Sequence, residues 1–466
     1  MNDIGLIGLG VMGENLALNI GRNNYSLSVL NRTIEKTKMF MEQKVRDENI
    51  MPFYDIKSFV ESLERPRKII LMVKSGEPVD NLIHELLPYL ENGDLIIDGG
   101  NSYFKDTDRR IEELKASNVL YLGLGISGGE YGALNGPSLM PGGLLETYKL
   151  VEDILLNIAA KVDSKPCCTY VGDDGAGHFV KMIHNGIEYG IMLGISEAYN
   201  IMRKGLMLSS KEIGDTFKKW NDGELGSYLM EISYKIMYHE DENNNRPLVD
   251  FILDKAEQKG TGKWTSITAL ELGIPAPSLT AAVDGRLISH FKEERIKLSN
   301  VFEKKKVNLS LDKEKTIYDL EKSLLFNQFI LFSQGIWLIN EASNVYNYNI
   351  DSAEVLRIWK GGCIIRAKMI NFLIEIINED RENINFLNNK KSVDFLLGKF
   401  NSTKHISNIA KDLYIPALIH NTSMDYFLGL IEENSAANLM QAQRDYFGAH
   451  TYERVDSEGI FHTEWE

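Results

Sequence analysis

Lys181, His184, Asn185 and Glu188 stand at i, i+3, i+4 and i+7, the spacing that places four side chains on one face of a helix. Met182, Ile183, Ile187, Ile191, Met192 and Ile195 take the other faces, so the segment is apolar around a polar stripe. In such surroundings desolvation favours a neutral amine and a protonated carboxyl, the forms in which lysine takes a proton and glutamate gives one. A free lysine, with a pKa of about 10.4, is too protonated to act as a base at neutral pH. Burial or a nearby cation must lower it, and Lys259, Arg286 and Arg444 are the candidate cations. An anionic substrate would push it the other way. A solvent-facing pair with no role has the same spacing, and the stripe alone does not separate the two.

A second chemistry is written at the start of the chain. Gly8-Leu9-Gly10-Val11-Met12-Gly13 lies between a strand pattern, Ile4 to Leu9, and a helix pattern, Asn15 to Arg22. The first glycine permits a tight turn, the second lets a pyrophosphate approach the backbone, and the third lets helix and strand pack closely. The helix N-terminus then faces the phosphates. An NAD site carries an acid after the second strand, where it bonds the ribose 2′-hydroxyl. This chain has Asn31-Arg32-Thr33 there. Arg32 can pair with a 2′-phosphate, and Asn31 and Thr33 can hydrogen-bond it, so the expected cofactor is NADP. Met72-Val73-Lys74 and Asp98-Gly99-Gly100-Asn101-Ser102 also follow strand patterns, and should meet the ligand at the same sheet edge. Gly125-Ile126-Ser127-Gly128-Gly129-Glu130 and Gly136 to Gly143 read as loops whose backbone N–H groups and serine hydroxyl suit a carboxylate. A plain flexible loop fits them equally well.

The elements that must hold these residues fall into three stretches. Short apolar runs (Ile4 to Leu9, Leu27 to Leu30, Lys68 to Val73, Leu95 to Asp98) alternate with helical patterns up to about residue 175, the signature of a doubly wound parallel sheet. From 176 to 434 long helical patterns dominate, beginning with His178 to Lys204, and a pseudo-duplicated helical array is compatible with them. Glu240 to Arg246 and Glu303 to Lys315 read as solvated interruptions. From 435 to 466 the tail is polar and aromatic, which predicts that it docks on something. The expected fold is thus a Rossmann-type α/β domain (1–175), a large all-α domain (176–434) and a C-terminal tail.

With 466 residues, 44% of them hydrophobic and 25% charged, the chain reads as an ordinary multidomain globular protein. A net charge of −15 argues against nucleic acid as the main partner. The first residues already belong to a strand, no apolar run reaches membrane-spanning length, and three cysteines form neither a disulfide framework nor a zinc spacing. These features predict a cytoplasmic protein without a metal and without a membrane partner.

The glycine turn, Asn31-Arg32-Thr33, Ser127-Gly128-Gly129, the run Gly175 to Tyr189, Gln258-Lys259-Gly260-Thr261-Gly262-Lys263-Trp264 and Gln443 to His450 closely resemble the 6-phosphogluconate dehydrogenase family, along nearly the whole chain. The resemblance implies oxidative decarboxylation of 6-phospho-D-gluconate to ribulose 5-phosphate, CO2 and NADPH, with no metal. It implies that Lys181 takes the 3-hydroxyl proton as hydride leaves C3, and that the same residue, protonated, then polarises the C3 oxygen. Glu188 then gives a proton to C1 of the enediol. Gly8, Leu9, Gly10, Val11, Met12, Gly13, Asn31, Arg32, Thr33, Met72, Val73, Lys74 and Asn101 would hold the dinucleotide. Asn101, Ser127, Gly128, Gly129, His184 and Asn185 would hold the sugar acid, with Tyr189, Lys259, Thr261, Arg286, Arg444 and His450 at its phosphate. The last two would come from a partner's tail, which makes the expected active form a homodimer. Other β-hydroxyacid dehydrogenases share the turn and the lysine helix but lack this tail. A non-catalytic NADP-binding paralogue could dispense with Lys181 or Glu188.

Overall fold

The structure, a computed structural model, describes residues 1–466 except 47–48, 258–259, 303–308, 382–384 and 466. The four apolar runs of the first stretch become β1 (Ile4–Ile7), β2 (Leu27–Leu30), β4 (Lys68–Leu71) and β5 (Leu95–Asp98), joined by β3 (Ile50–Phe53), β6 (Leu120–Ser127) and β7 (Ser138–Gly142). They form one sheet in the order β3-β2-β1-β4-β5-β6-β7. The first six strands run parallel, and β7 returns antiparallel to β6. The chain winds outward from β1 to β3, then restarts beside β1 with β4. The carboxyl ends of β1 and β4 therefore flank the switch point where such sheets bind ligands.

Three details differ from the sequence reading. β1 stops at Ile7 and β4 at Leu71, because Gly8 turns the chain out of the strand with φ +108. Ile50–Phe53 is an additional strand at the sheet edge, where Pro52 costs no central ladder bond. Ser138 to Gly142, within the second expected loop, form β7, and Gly125 to Ser127 is not loop either: it completes β6, paired with Ser138 to Met140. The glycines there serve close packing within the fold, and only Gly128 (φ +116) and Gly129 (φ +61) leave the strand.

Among the helices, those bearing on the site are α1 (Val11–Arg22), α2 (Phe104–Leu114), α3 (Ala176–Lys204), α4 (Thr261–Glu271), α5 (Pro277–His290), α6 (Lys313–Tyr346), α7 (Lys390–Asp412), α8 (Leu418–Ile431) and α9 (Ala437–Gly448). α3 and α6 are apolar on nearly every side, as central helices must be, and Phe326, Phe329, Ile330 and Phe332 of α6 are buried. Each long helix holds the start of a shorter one. Glu197 of α3 accepts from Ile419 N and His420 Nδ1 at the start of α8. Gln334 of α6 accepts from Ser278 N and Leu279 N at the start of α5. Both sets of otherwise unpartnered helix N–H groups are thereby satisfied inside the core. Of the polar segment at 303–315, residues 303–308 lie outside the described residues, and Asp312 caps α6 by accepting from Lys315 N.

Where the sheet meets α3, Asp108 of α2 accepts from Gly175 N (2.7 Å) and from Tyr348 Oη (3.2 Å). Burial pushes its carboxyl up to about 6. The folded value lies above the unfolded one, so the stability it contributes is complete below about 4 and is lost as pH rises through about 6. Asp108→Asn is therefore expected to melt higher than the wild type at neutral pH, with the advantage shrinking as the pH is lowered to 4. Melting curves across that range check it.

The tail folds on itself. The buried carboxylate of Asp445 accepts from Thr451 N, His462 Nδ1, Thr463 N and Trp465 Nε1, drawing the hairpin Tyr452–Glu453/Ile460–Phe461 against α9. Leu439, Met440, Tyr446, Phe447 and Ile460 remain exposed.

Candidate active site

The three glycines at the β1 turn have separate physical reasons. A Cβ on Gly8 would lie 2.5 Å from the Met72 carbonyl oxygen, and one on Gly13 would lie 1.9 Å from that of Gly8. A Cβ on Gly10 would meet nothing within 4 Å. Gly10 therefore borders open space at the N-terminus of α1, which no side chain caps. That is the constellation of free N–H groups a pyrophosphate needs. Asn31 holds the turn in place: Oδ1 accepts from Leu9 N and Nδ2 donates to the Thr33 carbonyl. The Asn31 amide thus braces the turn beside Arg32 and Thr33, where the ribose phosphate is expected. Arg32 and Thr33 are exposed, and the Thr33 hydroxyl makes no capping bond. Met72 packs between the Gly8 turn and Gly99, and the Val73 carbonyl lies against Gly100, since a Cβ at any of these glycines would meet them. Lys74 and Asn101 are exposed beside them.

α3 lies across the carboxyl half of β6. A Cβ on Gly177 would come within 2.4 Å of the Gly123 oxygen, and one on Gly125 within 2.6 Å of Lys181 Cβ. These glycines let the helix sink onto the strand until Lys181 is only 6% exposed. Burial lowers the pKa of Lys181, with Glu188 and Cys363 opposing. Burial raises that of Glu188, with Lys181 and Arg286 opposing. Among the described residues the lysine is thus shifted by burial, one of the two causes expected from the sequence. Gly125→Ala is expected to lower thermal stability by about 1–3 kcal/mol through overpacking and to reduce kcat by displacing Lys181; melting and steady-state assays check both.

His184 is fully buried between Ser127 and Asn185. Its Nδ1–H donates to Asn185 Oδ1 (3.1 Å), so its Nε2 accepts from the Ser127 hydroxyl (3.0 Å). Burial, reinforced by Lys181, holds it well below the usual histidine range and therefore neutral. Asn185 Nδ2 donates onward to Thr261 Oγ1. Glu188 Oε2 sits 3.8 Å from His184 Nδ1. The stripe read from the sequence is thus a buried face, hydrogen-bonded to the end of β6 on one side and to the start of α4 on the other. Tyr189 lies between Arg286, whose guanidinium stacks 3.5 Å from the ring centroid, and Gly262, where a Cβ would be 2.9 Å from the ring. α4 begins after Gly260 (φ +97) with no side-chain cap, leaving its first N–H groups open beside Thr261. Lys259 lies outside the described residues. Arg444 bonds Gln441 within its own helix, and His450 packs on Phe447, so within one chain both stay with the tail.

One segment escaped the sequence reading. Trp359 packs edge-on against His184, with centroids 5.6 Å apart, and Cys363 lies beside Lys181. The Gly362 oxygen accepts from Ser138 N, and it leaves no room for a side chain at Gly128. The available signal was Gly361-Gly362 inside an otherwise helical stretch, with φ +64 at Gly362.

Residues 3–172 match the family model described as the NAD binding domain of 6-phosphogluconate dehydrogenase, and residues 177–465 match the C-terminal domain of the same enzyme. The chain belongs to the 6-phosphogluconate dehydrogenase family. It is 48% identical to the NADP-dependent decarboxylating 6-phosphogluconate dehydrogenase of Bacillus subtilis, over 99% of this chain and 98% of that one. It is 45% identical to the NAD-dependent enzyme of the same organism, over 100% and 99%. The solved 6-phosphogluconate dehydrogenase of Plasmodium falciparum, studied alone, with NADP and with 6-phosphogluconate, superposes with a TM-score of 0.95 at 41% identity, covering 99% of this chain and 100% of that one. A family that holds both NAD- and NADP-dependent members establishes a nicotinamide dinucleotide for this chain; the choice between the two rests on its own residues. No helix among the described residues is long and apolar enough to cross a membrane.

Proposed function

We propose that the chain oxidises and decarboxylates 6-phospho-D-gluconate to D-ribulose 5-phosphate and CO2, with NADP as the hydride acceptor. The observation that carries this reading is the buried pair Lys181 and Glu188, each displaced toward its neutral form, on a helix face packed on the carboxyl half of β6 and bonded through His184 to Ser127. Neutral Lys181 takes the proton of the 3-hydroxyl. NADP, when bound, accepts the hydride from C3. The ketone so formed is an electron sink at C3, and Lys181, now an ammonium, stabilises the negative charge that develops on its oxygen as CO2 leaves. Protonated Glu188 delivers a proton to C1 of the enediol. Ser127, Gly128, Gly129, His184, Asn185 and Asn101 hold the carboxylate and hydroxyls. Tyr189, Thr261, Arg286 and Lys259 hold the phosphate at the open start of α4. Arg32, with Thr33, pairs with the 2′-phosphate, which favours NADP over NAD. Residues 1–175 hold the dinucleotide and share the sugar acid with 176–434, which supply the catalytic pair and the phosphate subsite. A water-soluble phosphorylated substrate fits a cytoplasmic location.

The tail (435–466) completes the site of a second copy. Support comes from its exposed apolar face and from Arg444 and His450, which stay apart from their own chain's phosphate subsite. In a homodimer with exchanged tails, mixing Lys181→Met chains with Arg444→Ala chains restores activity, because one site of each heterodimer has an intact body and an intact tail. Refolded mixtures that stay as inactive as either parent would contradict exchange. For the reaction itself, CO2 and reduced dinucleotide should appear in equal amounts from 6-phosphogluconate. Faster turnover of 3-hydroxyisobutyrate would instead place the chain with the shorter β-hydroxyacid dehydrogenases.

A further inference from the structure

One turn before Lys181, His178 is buried beneath α3 in a slot kept open by Gly123, where a Cβ would lie 2.9 Å from the ring. The partners of its two nitrogens differ in kind. Nε2 faces the main-chain oxygen of Asp98 at 3.0 Å, and a carbonyl can only accept, so Nε2 carries the proton. Nδ1 therefore accepts from Thr107 Oγ1 of α2 at 2.6 Å. Asp98 ends β5, and its side chain organises the loop that follows: it accepts from Gly100 N (3.0 Å), Ser102 Oγ (2.6 Å), Tyr121 Oη (2.8 Å) and Arg110 Nη1 (3.4 Å). Arg110 continues to Asp80 and to the Gly76 oxygen, beyond the Met72 to Lys74 loop. One largely buried network thus joins the helix bearing Lys181 to the Asp98 to Ser102 loop and to the segment that follows the Met72 to Lys74 loop.

We propose that His178 is a positioning residue that fixes the register between Lys181 and the dinucleotide-side loop carrying Asn101, and so the geometry of hydride transfer. The inference rests on the function proposed above. A hydrophobic residue would fill the same slot but would leave the Asp98 oxygen and the Thr107 hydroxyl without this partner, and α3 would lose its polar tie to the end of β5. Near-attack geometry is steep in distance, with about 1 Å of misplacement costing on the order of a hundredfold in rate.

The test compares wild type, His178→Leu, His178→Gln and Thr107→Val, with 6-phosphogluconate carrying hydrogen or deuterium at C3. For His178→Leu the expected result is a fall in kcat of at least about tenfold, with an increased deuterium isotope effect and an almost unchanged KM for 6-phosphogluconate. His178→Gln keeps a donor toward the Asp98 oxygen and should recover most of the rate, and Thr107→Val should fall between. If His178→Leu does not fold, the Gln and Val variants carry the same comparison. Folded variants with wild-type kcat and isotope effect, or a lowered melting temperature alone, overturn the positioning role. A wild type that does not turn over 6-phosphogluconate overturns the proposed function and this inference with it.

Discussion

Replacing Lys181 by methionine is expected to lower kcat with 6-phosphogluconate by roughly three to four orders of magnitude, the upper part of the range for acid–base groups. Lys181 serves first as base and then as acid, so no single rescue of one step restores turnover. Lys181→Arg is expected to fail nearly as badly, because a guanidinium does not deprotonate in this range. The same replacement should not weaken the fold. The folded pKa of Lys181 lies below its unfolded value of 10.5, so the amine's stabilising contribution is present above 10.5 and is lost as pH falls through the folded value. At neutral pH the buried amine opposes folding, and methionine fills the slot over Gly125 without that cost. Lys181→Met should therefore melt at or above the wild-type temperature at pH 7, with the difference narrowing toward pH 10. Loss of activity accompanied by a lower melting point would mean that the lysine supports the fold rather than the chemistry.

The second large effect concerns the dinucleotide. Arg32→Glu is expected to lower kcat/KM for NADP by about one to two orders of magnitude, which corresponds to losing one charge-assisted contact with a phosphate. With NAD, which has a hydroxyl at that position, kcat/KM should hold or rise, because a carboxylate can accept from the ribose 2′-hydroxyl. Asn31→Ala should act differently. Its amide holds Leu9 N and the Thr33 oxygen, so its loss should weaken NADP and NAD alike. Steady-state kinetics with both dinucleotides separate the two outcomes.

These contrasts mark what could be read in the sequence. The buried strands were legible because β1, β2 and β5 are short, mostly apolar runs bounded by turn residues, and the polar stripe on α3 was legible because its period matched a helix. The bracing role of Asn31 was not legible, because its bonds to Leu9 and Thr33 exist only once the turn is folded. Gly125 looked like loop because a glycine needed for helix-on-strand contact is indistinguishable in sequence from one needed for a turn. The net shift of Lys181 was not legible, because burial and cations push it one way and an anionic substrate the other; in the folded chain the packing of α3 on β6 desolvates the lysine, while Arg286 lies against Tyr189 and Glu188. Trp359 to Cys363 went unread because it joins the site from a distant part of the chain. His178 gave no signal either, since a histidine one turn from a lysine has no meaning until Asp98 and Thr107 converge on it.

The most direct test of the central claim is the appearance of reduced dinucleotide when the purified protein meets 6-phosphogluconate with NADP or with NAD, run beside Lys181→Met. Rapid reduction of NADP, slower reduction of NAD and neither with the variant is the predicted result. No reduction by the wild type, or reduction that survives loss of Lys181, would contradict the account.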